Sequence, residues 1–154
     1  VNRRRTIAVL ALLGGLDSVY LLLAKFGLVG GLSCTISHGC DMVNSSSYSE
    51  FLGIPVAGIG LAGYVVLFVL AIIGLQPRWL DDPWPDQLAS LFASVGVVFT
   101  LYLTYAEIFI LGAICQWCVV SQLLIVGILI LSLFGALKGR MAVPDEAEVR
   151  ATSD

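Results

Sequence analysis

Charge is what this 154-residue chain lacks. Only 12% of its residues are Asp, Glu, Lys or Arg, while 58% are hydrophobic. An average soluble domain carries about 25% charged and roughly 45–50% apolar residues. Eight Lys and Arg with eleven Asp and Glu cannot keep a globule of this size in water, and the mean hydropathy is +0.96. A soluble domain is excluded, and so is a disordered chain, which needs low hydrophobicity. A net charge of −3 excludes a nucleic-acid binder, which needs a basic surface. The charges present are also unevenly spread. Residues 88–137 hold no Lys or Arg and a single acid, Glu107. What remains is a small integral membrane protein.

A bilayer core of about 30 Å needs roughly 20 apolar residues at 1.5 Å each. Apolar runs at about 6–29 and 55–75 meet that length, and the polar stretch 76–86, with Pro77, Pro83 and Pro85, reads as a turn between spans. Residues 87–137 are almost continuously apolar, and as one helix they would exceed the membrane twofold. They must hold two spans, broken near 111–114 where Gly112 weakens the helix before Cys115. The expected fold is an all-α bundle of four transmembrane helices, the last two at about 88–111 and 115–137. Residues 1–140 form the membrane domain in this reading, and the acidic tail 141–154 is expected to be disordered.

Positive charge sets the orientation. Arg3, Arg4 and Arg5 precede the first span, Arg78 lies in the second loop, and Lys138 and Arg140 follow the fourth span. With four crossings all lie on one side, the cytoplasmic one. Lys25, near the outer end of the first span, snorkels to the interface in this scheme. A cleaved signal peptide is the rival reading of residues 1–30; the long apolar run and the lack of a small-x-small cleavage site weigh against it.

Cys34 and Cys40 then follow one crossing, and Cys115 and Cys118 follow three. Both counts are odd, so all four cysteines face the oxidising side. Three uses of them compete. Two structural disulfides are one, although a short Cys34–Cys40 loop constrains little chain entropy. A four-cysteine zinc site is the second, with a loose C-x5-C half. The third is a redox relay, in which a C-x-x-C at a helix N-terminus stabilises a thiolate and exchanges with a second pair within reach. The relay accounts best for the placement.

The residues also carry a resemblance. Cys34-Thr-Ile-Ser-His-Gly-Cys40-Asp-Met-Val43 is followed by Ser47-Tyr-Ser49 and by Phe51-Leu-Gly-Ile-Pro55, and Ile114-Cys115-Gln-Trp-Cys118 comes 75 residues after Cys40. Over about residues 6–137 this resembles the vitamin K epoxide reductase family, and its bacterial members most closely. The resemblance implies a four-helix bundle around a quinone pocket in a bacterial inner membrane. It makes Cys115 and Cys118 the membrane-side active pair, with Cys118 meeting the quinone ring and Cys115 exchanging with Cys40. Cys34 becomes the outermost thiol, reached by a thioredoxin-like or DsbA-like partner. Electrons run from that partner to the loop pair, then to Cys115–Cys118, then to ubiquinone or menaquinone, with no metal. No thioredoxin domain follows Lys138 in these residues, so the partner is expected to be separate, or part of a longer chain.

The pocket is expected along Cys118, Gln122, Trp117, Pro55 and Val56. Gln122, one turn past Cys118, either donates to a quinone carbonyl or bonds a neighbouring helix. Trp117 is a pocket residue or a membrane-belt tryptophan. Vertebrate members place a tyrosine where Gln122 stands, and the family's lid asparagine falls near Val56. Both departures favour a respiratory quinone over vitamin K epoxide. Ser47-x-x-Glu50 suits a capping box on a short interfacial helix in the first outer loop, with Tyr48, Phe51, Leu52 and Ile54 covering the pocket and Pro55 opening the second span. Asp17 and Glu107 are carboxylates inside spans, where a role is the default. Glu107 is the better-placed proton relay, or a structural acid. His38 either tunes a thiol or faces water.

Overall fold

The computed structural model describes residues 2–30, 34, 39–80 and 82–151, with side chains as far as 138. His38 lies outside the described residues. Four helices are long and apolar enough to cross a membrane: Asn2–Lys25, Val56–Gly74, Trp84–Leu111 and Gln116–Lys138. In helix nomenclature these are α1 (Asn2–Lys25), α3 (Val56–Gly74), α4 (Trp84–Ala106, extended by a turn at Glu107–Leu111) and α5 (Gln116–Ala151). The all-α bundle read from the apolar runs is therefore the fold. Helical backbone continues past the fourth span to Ala151.

Each helix packs against two neighbours. α1 lies between α3 and α5, and α4 closes the ring against both. Lipid offers no hydrophobic drive between helices, so close contact relies on small residues that let backbones approach. Ala8, Ala11, Ala71, Ala89 and Ala93 fill that role in the inner core, around Ile7, Leu67 and Ile128. Gly14 completes it, because a Cβ there would overlap the ring of Tyr64. The large side chains point the other way: Leu16, Val69, Val95, Val98 and Leu123 are exposed on the outer faces, where lipid replaces water.

At the end bearing Arg3 and Arg4 the bundle is closed by a buried ion cluster. Arg4 is 6% exposed. Its guanidinium donates to Asp86 Oδ2 at 2.8 Å and 3.1 Å, to the Trp79 carbonyl at 2.7 Å, to the Asp82 carbonyl at 2.8 Å and to the Gly74 carbonyl. Arg3 reaches the same Asp86 oxygen at 2.7 Å. α1, the end of α3, the second loop and the start of α4 are thus tied at one point.

At the opposite end the first outer loop folds back over the bundle. It contains α2 (Cys40–Ser45), a short 3-10 turn at Ser47–Ser49, and a hairpin of β1 (Glu50–Phe51) with β2 (Ile54–Pro55), paired Glu50 to Pro55 and Phe51 to Ile54. The short interfacial helix is present but starts at Cys40, upstream of the expected place. No capping box forms: Glu50 is extended, and its carboxylate pairs with Lys25 at 3.2 Å. Leu52 and Gly53 make the hairpin tip with φ of 54° and 79°. Two central residues at positive φ are what a tight hairpin twist demands. The turn leaves Leu52 89% exposed, aimed away from the bundle.

Candidate active site

Cys115 and Cys118 are placed by a break in the helix ahead of them. Residues 107–111 form a π turn, and Gly112, at φ 61°, ends it in the left-handed conformation. A π turn widens the helix by one residue and often marks a functional site. Glycine suits position 112 because a Cβ is strained at that φ. The Ala113 N–H closes the turn onto the Glu107 carbonyl at 3.1 Å. The chain then restarts as α5, with Cys115 immediately before its first residue and its carbonyl accepting from the Val119 N–H at 3.2 Å. Cys115 therefore sits at a helix N-terminus, where backbone N–H groups favour a thiolate.

Glu107 turns its carboxylate toward this restart. Its Oε2 accepts from the Cys115 N–H at 3.1 Å, and the carboxyl also meets the Cys118 thiol. It is 4% exposed. One acid thus touches both members of the C-x-x-C pair.

The loop pair arrives from above. Cys34 and Cys40 form a disulfide with Cα atoms 6.3 Å apart, while Cys115 and Cys118 are free thiols. Cys40 and Cys115 are each 1% exposed and share one buried cluster with Leu21 and Val43, against which Cys34, Cys118 and Trp117 pack. The four cysteines, 75 residues apart as pairs, meet. Gly39 makes the approach possible: a Cβ there would stand 2.9 Å from the Ala113 Cβ and 3.0 Å from the Ile114 carbonyl. Next to Cys115, the Cys118 thiol donates a hydrogen bond that holds the Cys115 thiol below the usual thiol range, against burial, which pushes it up.

Beneath the cysteines lies a cleft of about 110 Å³, the order of volume that holds a single aromatic ring (an apolar cavity of ~150 Å³ takes benzene). Cys115, Cys118 and Glu107 form its cysteine end. α4 contributes Phe99, Thr100, Leu103 and Thr104; the outer loop contributes Val43, Asn44, Tyr48 and Ser49; Ser18, Val56, Gly60 and Ser121 complete the wall. Val56 is thus in the cleft. Pro55 stands just before α3 and is not among the lining residues. Trp117 packs on Tyr20 with ring centroids 4.9 Å apart. Gln122 accepts from the Thr104 hydroxyl at 2.7 Å, which joins α4 to α5, and the residue one place earlier, Ser121, faces the cleft instead.

Tyr48, expected to cover the pocket, does line the cleft, and Ser18, Asn44, Ser49, Thr100, Thr104 and Ser121 are polar lining residues that the sequence reading did not assign to ligand contact. Asn44 had a signal: it lies four residues after Cys40 on one short helix, a spacing that puts both on one face. Its amide donates to the Leu21 carbonyl at 3.4 Å. The loop itself is pinned by Lys25, whose ammonium donates to Ser49 Oγ and to the Asn44 carbonyl at 3.4 Å. Among the described residues no cluster of His, Cys, Asp and Glu suited to a metal ion occurs.

Fold and site together define the class: a membrane-spanning four-helix protein that holds a dithiol beside a disulfide over an apolar cleft. The vitamin K epoxide reductase family matches residues 5–133, and the chain belongs to that family. Membership makes it an integral membrane oxidoreductase of quinone-related redox chemistry.

Proposed function

We propose that the protein is a quinone-dependent thiol oxidase that generates protein disulfides. Its electrons come from a thioredoxin-like or DsbA-like dithiol on the outer face of a bacterial inner membrane. The partner's thiolate attacks Cys34, releasing Cys40, and the partner's second thiolate then frees Cys34 as the partner leaves oxidised. Cys40 attacks Cys115 of the oxidised Cys115–Cys118 pair, releasing Cys118, and Cys34 attacks Cys40, which restores the loop disulfide and releases Cys115. The reduced Cys115–Cys118 pair then passes two electrons to a quinone in the cleft, ubiquinone or menaquinone, and closes its disulfide. Glu107, which accepts from the Cys115 backbone N–H and meets the Cys118 thiol, takes the proton of Cys118 and hands it to the quinone. Val56, Asn44 and Tyr48 shape the ring site, while Trp117, Pro55 and Gln122 hold its frame. Residues 1–140 act as the membrane domain, with both ends cytoplasmic by the distribution of Arg and Lys.

One observation carries the reading: two cysteine pairs share a buried cluster at the mouth of a ring-sized apolar cleft. Structural disulfides alone leave the free Cys115–Cys118 pair and the cleft without a task. The test is to mix purified protein with a quinone and a reduced thioredoxin-like dithiol and follow quinone absorbance. Turnover should vanish in Cys118→Ala. In Cys34→Ser, turnover with the protein dithiol should be lost while dithiothreitol still drives quinone reduction. Unchanged turnover in Cys118→Ala would sink the proposal, and equal loss with both reductants in Cys34→Ser would refute the order of the pairs.

A further inference from the structure

Asp17 is the buried acid that this chemistry leaves without a task. It lies in the membrane-spanning part of α1, 7% exposed, and neither carboxyl oxygen meets a donor in good hydrogen-bond geometry, the Ser121 hydroxyl being the side-chain group it interacts with. No cation pairs with it among the described residues; the ion pairs there go to Asp86 and Glu50. Burying a lone carboxylate is among the costliest placements in a membrane, and without a counter-ion the neutral acid is the form that survives.

The groups facing Asp17 come from two other helices. Among the described residues α3 presents Tyr64, a second titratable group, and α5 presents Ser121. Tyr64 is already committed: its hydroxyl lies 2.8 Å from the Ser121 carbonyl and 2.9 Å from Ser121 Oγ. Ser121 in turn lines the redox cleft one helical turn beyond Cys118, and Ser18, next to Asp17, lines it from α1. A carboxyl, a hydroxyl and the cleft thus stand in sequence, one helical turn further along α5 than Cys118.

We infer that Asp17 stores a proton that Ser121 passes into the deep end of the cleft, where it completes the protonation of the reduced quinone. The inference rests on the quinone reading of that cleft. In the overall step two S–H bonds break, the Cys115–Cys118 S–S bond forms, two electrons enter the ring and two O–H bonds form. The oxygens of a 1,4-quinone sit at opposite ends of the ring, so a donor beside Cys118 serves one of them. Glu107 serves that end with one thiol proton. At the other end Ser121 gives its proton to the second oxygen while taking that of Asp17. Water reprotonates Asp17 through the same hydroxyl once the quinol leaves. The second thiol proton departs to the outer solvent, so one proton is taken up and one released.

Asp17→Asn keeps the shape and removes the transferable proton. With dithiothreitol and a short-chain ubiquinone, its kcat should fall about 10²-fold, the usual size of a general-acid contribution. The quinone KM should be unchanged, and the solvent deuterium isotope effect on kcat should rise. Ser121→Ala should behave alike, and the double variant should be no slower than the slower single, because the two residues act as one path. A wild-type kcat and isotope effect in Asp17→Asn, or losses that multiply in the double variant, would overturn the inference. If Asp17→Asn fails to fold, Ser121→Ala decides by the same two readouts. Absence of quinone turnover in the unmutated protein is a different outcome: it refutes the quinone reading on which the inference stands.

Discussion

At the scale of residues, two cysteines three positions apart are made unequal by their surroundings. Both line the cleft, but Cys115 is also fully buried against Cys40 and receives the Cys118 hydrogen bond that lowers its thiol below the ordinary range. The thiolate is the attacking form in disulfide exchange, so this bond should tune the exchange between pairs. In Cys118→Ala, Cys115 can attack the loop disulfide and remain trapped with Cys40. Without the neighbouring donor its pKa rises, less thiolate is present at a given pH, and the trapping profile moves to higher pH. Cys118→Ser keeps a hydroxyl donor and should trap at lower pH than the alanine variant. Non-reducing gels across a pH series read both curves; coincident curves would show that the hydrogen bond does not act on Cys115.

Elements explain which parts of the site were legible in the chain. The break before Cys115 could be read because a 51-residue apolar run cannot be one span and Gly112 stands where it must turn; the structure puts the left-handed residue there. The choice between Ser121 and Gln122 could not be read. Both lie within one turn of Cys118, and only the packing of α5 on α4 gives Gln122 to Thr104 and Ser121 to the cleft. The capping-box pattern at Ser47 and Glu50 misled for a related reason: Lys25, distant in sequence, draws Glu50 into a hairpin. That lysine is the latch of the outer loop. Replacing it in Lys25→Met keeps the apolar stem and removes contacts to Ser49, Asn44 and Glu50. We expect the quinone KM to rise several-fold with a smaller change in kcat, and amide exchange in residues 44–51 to quicken. A KM and exchange pattern like the parent protein's would show that the loop stays shut without the latch.

Over the whole molecule the two ends have separate tasks. The outer end gathers the cysteines, the cleft and the loop. The other end is held by Arg4, whose burial the charge count did not reveal: Arg3–Arg5 read as markers of sidedness, yet Arg4 and Asp86 meet across 82 residues of sequence. A buried ion pair adds little over an apolar pair, but removing one partner strands the other charge at a cost of about 3–5 kcal/mol. Asp86→Ala does this while leaving every Arg and Lys in place. It should lower the unfolding temperature of the purified protein clearly, with Asp86→Asn intermediate because an acceptor remains for Arg4. The cleft lies at the far end, so folded Asp86→Ala should keep its quinone KM and its Cys40–Cys115 exchange. Thermal unfolding followed by tryptophan fluorescence, together with dithiothreitol-driven quinone reduction below the transition, measures the two effects separately. An unchanged unfolding temperature would mean that the cluster does not hold the bundle. A changed quinone KM in the folded variant would mean that the two ends are mechanically coupled.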